Sequence, residues 1–205
     1  MLLYTHPGIP AYMGMNSVGL CLTWMYIDTG ERAFGVPTGA LIRELLTVTS
    51  LAEAVSYLQS VPLAVPNTFF LGHVQDGLCT VEVTPSRVAS ARWRRDAMPR
   101  QSSPRRRAGI WRRPGRQPGG DHPRPTGADE EVAASYGGVI DVANAQAILA
   151  DHSGGHAICA HPRADRKVAG KTLTSMVFQP ESGALHIAFG NGCDTPYETY
   201  RFAAT

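Results

Sequence analysis

Apolar residues recur along the chain with two spacings, and each spacing predicts a different kind of element. Spacings of three and four residues predict one helix at about residues 38–47 and a second from residue 50 to about residue 61. The second helix opens with Ser50-Leu51-Ala52-Glu53, the pattern of a capping box. A third helix is predicted at about residues 142–150.

Short β-prone runs bounded by turn residues predict the strands. A turn at residues 14–19 leads into an apolar run at 20–27, and a short strand is predicted near 157–161. Two hairpins are predicted, one of runs 67–74 and 78–84 around Gln75-Asp76-Gly77, the other of runs 173–178 and 184–189 around Glu181-Ser182-Gly183. Hairpins separated by helix pairs favour an α+β fold, in which helices cover antiparallel sheets.

The composition is that of one globular domain. The chain has 205 residues, of which 43% are hydrophobic and 8% aromatic. No apolar run is long enough to span a bilayer and the first ten residues do not form a secretion signal, so we expect a cytoplasmic protein without membrane contact. Four cysteines stand in apolar or strand-like contexts, which favours buried free thiols over disulfides or a zinc pattern: Cys21, Cys79, Cys159 and Cys193.

Charge is distributed very unevenly along the chain. Residues 87–125 contain twelve Arg, no Lys and two Asp, whereas the rest of the chain carries seven basic and fifteen acidic residues. Three interpretations of this block remain open: a disordered product of a frameshift, a solvated insertion with another role, and an arm that binds nucleic acid with Trp93 and Trp111 stacking on bases. The absence of lysine favours the frameshift, because codon bias explains it and phosphate binding does not. We therefore do not expect nucleic acid to be a partner.

Several motifs, in their order along the chain, carry a resemblance to a known family. They are Gly14-Met15-Asn16-Ser17-Val18-Gly19-Leu20, Gly35-Val36-Pro37, the first two helices, Val81-Glu82-Val83-Thr84-Pro85, Asp151-His152, Ile158-Cys159-Ala160-His161-Pro162, residues 171–176 and Gly190-Asn191-Gly192-Cys193. Over residues 8–86 and 128–203 the chain resembles the acyl-coenzyme A:6-aminopenicillanic acid acyltransferases. We accordingly divide it into residues 1–87 and 128–205 of one domain, with an arginine-rich, disordered or frameshifted insertion at 88–127.

The resemblance implies a fold and a reaction. The fold is the αββα sandwich of the N-terminal-nucleophile hydrolases, of which this chain would hold a part. In that group a precursor cleaves itself to expose an N-terminal cysteine, whose own amino group serves as the base. Acyl transfer then passes through a thioester, and intact relatives are expected to act on a small-molecule amide or acyl-thioester without a cofactor.

The chain departs from the family pattern at the groups that carry the chemistry. The family's nucleophile lies upstream of the Gly-Met-Asn-Ser motif, so we expect this chain to lack it, to be inactive and to offer no catalytic residue. Cys21, inside the predicted strand, is expected to be a structural thiol. A strand-borne Asn is replaced by Trp24-Met25-Tyr26, and only Lys171 stands where the family places an Arg.

A frameshift would also explain the loss of the family's His-Thr-Asn-His segment, which should follow Val81-Glu82-Val83-Thr84-Pro85. Residues 98–104 can be encoded as ATG CCT CGT CAA TCA TCA CCT. Read from the second base, this string gives Cys-Leu-Val-Asn-His-His, which is close to the missing segment. The hypothesis places one shift of frame near residue 88 and a compensating shift near residue 127.

One dense group of polar residues remains after these motifs: Asp151, His152, His156, Cys159 and His161. Their spacing is not a known zinc pattern, so we interpret them as capping and core residues and predict no metal site. Asp151 and His152 match a pair in the family and are candidates for a pocket or support role.

Missing N-terminal strands would leave a sheet edge or face uncovered, which predicts self-association.

Overall fold

The computed structural model describes residues 1–93, 140–153, 158–162 and 170–203. These residues form an α+β fold, as the sequence predicts, with two antiparallel sheets. They fall into two compact units, one of the described residues 1–93, 180–183 and 202–203, the other of the described residues 140–153, 158–162, 170–179 and 184–201. Among the described helices, none combines the length and apolar character needed to cross a bilayer.

The first unit contains a six-stranded sheet in which every strand pairs with its sequence neighbour. Its strands are β1 (Leu2–Tyr4), β2 (Met13–Met15), β3 (Leu20–Tyr26), β4 (Asn67–His73), β5 (Gly77–Thr84) and β6 (Arg87–Trp93). The predicted β4–β5 hairpin is confirmed, with Asn67 opposite Val83 and His73 opposite Gly77. Gly77 has a φ of 85°, a left-handed conformation that glycine adopts without steric cost.

Two helices cover one face of this sheet, and the hydrophobic core lies between the helices and the sheet. They are α1 (Thr38–Leu45) and α2 (Leu51–Ser60), which begin and end close to the predicted positions. Alternate residues of β3, β4 and β5 point toward the helices, as the period of two in a strand requires. The fully buried apolar side chains of this core include Leu20, Leu22, Phe69, Leu71 and Val81 from the sheet and Leu41, Ile42, Leu45, Leu51 and Leu58 from the helices.

The signal that predicts the start of α2 is used in the structure. The Ser50 side chain accepts a hydrogen bond from the backbone N–H of Glu53 at 3.2 Å. The Glu53 carboxylate turns back to the backbone N–H of Thr49 at 2.8 Å and to the Thr49 hydroxyl at 3.1 Å. The reciprocal half of the cap therefore reaches one residue further back than in the standard capping box.

Asn16, in the turn between β2 and β3, makes four hydrogen bonds through its side chain. Its amide nitrogen donates to the backbone oxygens of Leu46 at 3.2 Å and Val48 at 2.9 Å, just beyond the end of α1. Its amide oxygen accepts from the backbone N–H of Leu20 at 3.0 Å and of Val18 at 3.2 Å. The side chain is buried, so one amide joins the β2–β3 turn to the segment that follows α1.

The second unit is smaller and contains a helix and a three-stranded sheet. They are α3 (Val142–Leu149), β7 (Ser175–Gln179), β8 (Ala184–Ala188) and β9 (Glu198–Arg201). The sheet order is β7-β8-β9, and α3 lies against β7. The predicted second hairpin is confirmed, since a short 3₁₀ helix, Pro180–Ser182, and Gly183 at a φ of 62° connect β7 to β8.

Two sequence predictions need correction. The strand predicted near 157–161 is wrong for residues 158–161, because the backbone N–H groups of Cys159 and Ala160 bond to Asp151 and to the Thr172 hydroxyl rather than to a neighbouring strand. The insertion predicted at 88–127 begins too early, because residues 88–93 continue β6 and pair with β5. The remainder of that insertion, residues 94–127, lies outside the described residues.

The prediction of self-association stays a prediction. Within the described sheet, β1 and β6 are the edge strands. The side of the sheet opposite the two helices carries the exposed apolar side chains of Met25, Phe70 and Leu78. Edges and apolar faces of this kind are the surfaces through which strands associate.

Replacing Asn16 by alanine should lower the free energy of unfolding by about 2–4 kcal/mol, because the buried carbonyls and N–H groups lose their partners. Asn16→Asp keeps the acceptor but turns a carboxylate toward two carbonyl oxygens, so it should destabilise at least as much. Urea unfolding followed by circular dichroism measures both, with the exposed Gln59→Ala as a control within about 0.5 kcal/mol of the parent. An Asn16→Ala protein as stable as the control would contradict the role given to this amide.

Candidate functional site

Four metal-ligating side chains of the second unit converge on one point. They come from three separate stretches of sequence: His152, Cys159 with His161, and Cys193. One ligand atom from each residue lies within 4.8 Å of the corresponding atoms of the other three. Cys159 is buried and the other three are exposed, so the cluster lies at the surface with one sulfur on its inner side.

The individual distances define a compact arrangement. The two imidazoles approach through their Nε2 atoms at 3.0 Å, and the two sulfurs lie 3.5 Å apart. Nε2 of His161 is 3.2 Å from Sγ of Cys193 and 3.8 Å from Sγ of Cys159. Both cysteines are free thiols.

The end of α3 positions the first ligand. The helix starts at a complete capping box, in which the Asp141 carboxylate accepts from the backbone N–H of Asn144 at 2.7 Å. It ends at Leu149 with Ala150 as its C-cap, and His152 follows two residues after the cap. The backbone oxygen of Asp151 accepts from the N–H of Cys159 at 3.0 Å, which brings the second ligand back to the helix end.

The segment around Cys159 is fixed by hydrogen bonds to its backbone and by one to its sulfur. The N–H of Ala160 donates to the Thr172 hydroxyl at 2.9 Å, and the N–H of Thr172 donates to the oxygen of Ala160 at 2.8 Å. The Asn191 side chain donates to the same oxygen at 2.8 Å and to Sγ of Cys159 at 3.2 Å. Asn191 thereby joins the two segments that carry the cysteines.

The motif Gly190-Asn191-Gly192-Cys193 forms a tight turn after β8. The backbone oxygen of Asn191 accepts from the N–H groups of Asp194 at 3.2 Å and Thr195 at 2.9 Å. A Cβ at Gly192 would lie 2.7 Å from the Tyr197 hydroxyl oxygen and 3.1 Å from that of Ser175, closer than ordinary contacts. Glycine at this position therefore lets the turn approach β7 closely and place Cys193 beside Cys159.

The electrostatics of the cluster disfavour a free thiolate. Desolvation, a hydrogen bond with Cys159 and the neighbouring charges of Cys159 and Asp194 all raise the pKa of Cys193. A nucleophilic thiol needs the opposite shift, from a cationic neighbour or a helix N-terminus. The raised pKa therefore disfavours Cys193 as a nucleophile in a Cys–His pair, while the four converging donor atoms form a group that could hold a metal ion.

The two site residues predicted from sequence have different positions here. His152 contributes its side chain to the cluster. Asp151 contributes its backbone oxygen, while its carboxylate accepts from the Ser153 hydroxyl at 2.7 Å, a hydrogen bond that lowers the pKa of Asp151. A pocket or support role for the pair stays a prediction.

Three of the four converging residues, His152, Cys159 and His161, belong to the polar group seen in the sequence, for which no metal site is predicted. His156 lies outside the described residues, and the Asp151 carboxylate bonds to Ser153. The missing member was Cys193, which follows His161 by 32 residues. Its signal was the glycine-flanked turn motif, whose tertiary position no spacing rule reveals.

Cys21, predicted from the sequence to be a structural thiol, lies within β3 opposite Gly72. A Cβ at Gly72 would lie 2.8 Å from Sγ of Cys21, so the sulfur fills the space that the glycine leaves. Burial is the main cause that raises the pKa of Cys21 from 9.0 to about 11. Cys79 belongs to the core beneath the helices, and burial raises its pKa as well.

The arginine-rich block adds little to the described surface. Arg87 and Arg92 lie on β6, an edge strand of the described sheet, and both are exposed. The other arginines of the block follow residue 93 and lie outside the described residues. The expectation that nucleic acid is not a partner stays a prediction.

Comparison with known proteins bears on the first unit. Residues 3–98 match the family model of acyl-coenzyme A:6-aminopenicillanic acid acyl-transferase. No curated protein matches the chain. The match confirms the resemblance inferred from the motifs of residues 8–86, and it includes Asn16 and all six strands of the first sheet except Leu2 of β1. The resemblance over residues 128–203 stays a prediction.

Cys21 should be a slow thiol in the folded chain. A pKa near 11 instead of 9.0 leaves roughly a hundredfold less thiolate at pH 8, and only the thiolate reacts. Iodoacetamide labelling, followed by peptide mass spectrometry, should show at least that ratio between unfolded and folded protein. Between pH 7 and 9.5 the rate at Cys21 should keep rising about tenfold per pH unit, and a plateau in this range would contradict the assigned environment.

Proposed function

We propose that this chain, whose residues 3–98 match the acyl-coenzyme A:6-aminopenicillanic acid acyl-transferase family, has the scaffold of an amide acyltransferase or amidohydrolase but no such activity by itself. The family match supports the proposed scaffold. The environments of the four cysteines support the proposed absence of activity. For intact relatives we propose a small-molecule amide or an acyl-thioester as substrate.

The reaction inferred for the family needs a cysteine with three properties. Its sulfur must be accessible to an acyl group, a base must take its proton, and donors must stabilise the oxyanion of the tetrahedral intermediate. In the N-terminal-nucleophile arrangement the cysteine's own amino group serves as the base. The sulfur then receives the acyl group, and an amine or water releases it.

No cysteine of this chain combines these properties, and all four lie in described residues. Cys21 and Cys79 lie within strands, and burial raises the pKa of each. Cys159 is buried and accepts a hydrogen bond from Asn191. Cys193 is exposed and lies 3.2 Å from Nε2 of His161, so it has an accessible sulfur and a neighbouring base, but desolvation and its hydrogen bond with Cys159 raise its pKa and disfavour the thiolate that would attack. This distribution of thiols is the observation on which the proposed inactivity rests.

The finer description of the fold belongs to the same proposal. Two antiparallel sheets, one of them covered by a helix pair, are compatible with the αββα sandwich of the N-terminal-nucleophile hydrolases. We take that sandwich as the arrangement of this chain because the family match covers the first sheet and both of its helices.

The purified 205-residue chain should show no hydrolysis or transfer of a penicillin side-chain amide or an acyl-thioester above the uncatalysed rate. Removing the nucleophile of such an enzyme typically costs about six orders of magnitude in turnover. Liquid chromatography of reactions at high protein concentration provides the measurement. The variants Cys21→Ala and Cys193→Ala should give the same background as the parent chain.

Turnover that disappears in one of these variants would show that the corresponding thiol is a nucleophile and would overturn the proposal.

Binding of duplex or single-stranded DNA at physiological salt, measured by fluorescence anisotropy, tests the alternative function of the arginine-rich block. Affinity that falls steeply as salt rises would favour that alternative.

A further inference from the structure

We propose that His152, Cys159, His161 and Cys193 bind a zinc ion that fastens the end of α3 to the turn after β8. This inference concerns the second unit and is independent of the function proposed above. The site would be structural, because four protein ligands complete a tetrahedral zinc sphere and leave no position for substrate or water.

The geometry of the four atoms is close to that of a zinc tetrahedron. With Zn–S bonds of about 2.3 Å and Zn–N bonds of about 2.0–2.1 Å, ligand atoms are separated by about 3.8 Å for two sulfurs, 3.3 Å for two nitrogens and 3.5 Å for a mixed pair. The corresponding distances here are 3.5 Å, 3.0 Å and, for His161 with the two sulfurs, 3.2 and 3.8 Å. The two pairs that join His152 to the sulfurs are no longer than 4.8 Å.

The chemistry of the donors selects the same metal. Two sulfurs and two imidazole nitrogens in a tetrahedral arrangement suit zinc, whereas calcium and magnesium prefer oxygen donors in larger coordination numbers. On binding, each thiol loses its proton to solvent and each imidazole coordinates as the neutral base. Two thiolates then balance the charge of the ion, so the bound site is neutral overall.

The ligand atoms themselves make few strong contacts with one another. The two imidazoles can share one hydrogen bond at 3.0 Å, and the contacts that involve sulfur are weak hydrogen bonds. A shared cation would convert this mutual approach into four coordinate bonds. The convergence of residues from three stretches of chain is therefore more simply explained by a ligand than by the contacts among the side chains.

Hydrogen bonds around the cluster resemble the outer shell of a metal site. The amide of Asn191 donates to Sγ of Cys159 and to the oxygen of Ala160, which fixes its orientation. The N–H of Cys159 is held by the oxygen of Asp151. Such partners orient the ligands and tune the donor strength of a thiolate, so Asn191 would act as a positioning residue.

The decisive measurement is the zinc content of the untagged full chain, since a polyhistidine tag would bind zinc itself. Protein exchanged into metal-free buffer, loaded with one equivalent of zinc and desalted should retain close to one equivalent by mass spectrometry. Bound zinc should fall about tenfold or more in Cys159→Ala, Cys193→Ala and His161→Ala. The matched controls Cys21→Ala and His186→Gln, which change a cysteine and a histidine elsewhere, should retain the parental amount.

Cobalt provides a readout that does not depend on the variants folding. The parent chain titrated with cobalt should show the visible bands of a tetrahedral ion and a thiolate-to-cobalt charge-transfer band, and both should saturate at one equivalent. In Asn191→Leu the charge-transfer band should move to lower energy, because the thiolate loses a hydrogen bond, and zinc affinity should fall about tenfold.

Two results would overturn the proposal. One is a parent chain that, kept reduced, retains less than about a tenth of an equivalent of zinc and gives no tetrahedral cobalt spectrum. The other is zinc retention in the Cys159→Ala and Cys193→Ala variants equal to that of the matched controls.

Discussion

In the first unit, the connection between the sheet and the helices depends on the hydrogen bonds of one buried side-chain amide, that of Asn16. A helix ends with carbonyl groups that have no partner within it, and a tight β-turn leaves N–H groups in the same position. Asn16 meets both needs, because its side chain offers two donors and an acceptor and is too short to reach elsewhere. The sheet and the helix layer are thus connected by directed bonds as well as by apolar contact, which is non-directional and cannot by itself fix where α1 ends over the strands.

Local signals were enough for the elements whose causes are local. The cap at Ser50, the turn at Gly77 and the apolar periods of α1 and α2 each involve residues within one helical turn or one hairpin, and each predicted its element to within a few residues. The strands β1, β2 and β9 carried too few residues for a pattern to emerge. They exist because a neighbouring strand supplies hydrogen bonds, and that information is not present in three or four consecutive residues.

The cluster in the second unit likewise combines residues that are close in sequence with one that only the fold brings near. His152, Cys159 and His161 were visible as a group because they lie within ten residues of one another. Whether they could hold an ion depended on a fourth donor, and Cys193 reaches them only because Gly192 allows its turn to pack against Ser175 and Tyr197. The missing side chain of Gly192 thus determines whether His152, Cys159 and His161, which lie at least 30 residues earlier in the sequence, have a fourth donor beside them.

The strand β6 shows that the change in composition along the chain does not coincide with the edge of the folded sheet. A backbone ladder is formed by atoms that every residue except proline supplies, so small residues such as Ala89, Ser90 and Ala91 pair with β5 although they begin the arginine-rich stretch. Val88 also packs partly against the core. An engineered deletion drawn at the change in charge would therefore remove a strand and leave the hydrogen-bonding groups of β5 without partners along one side. A deletion that begins downstream of Trp93 keeps every described pair between β5 and β6.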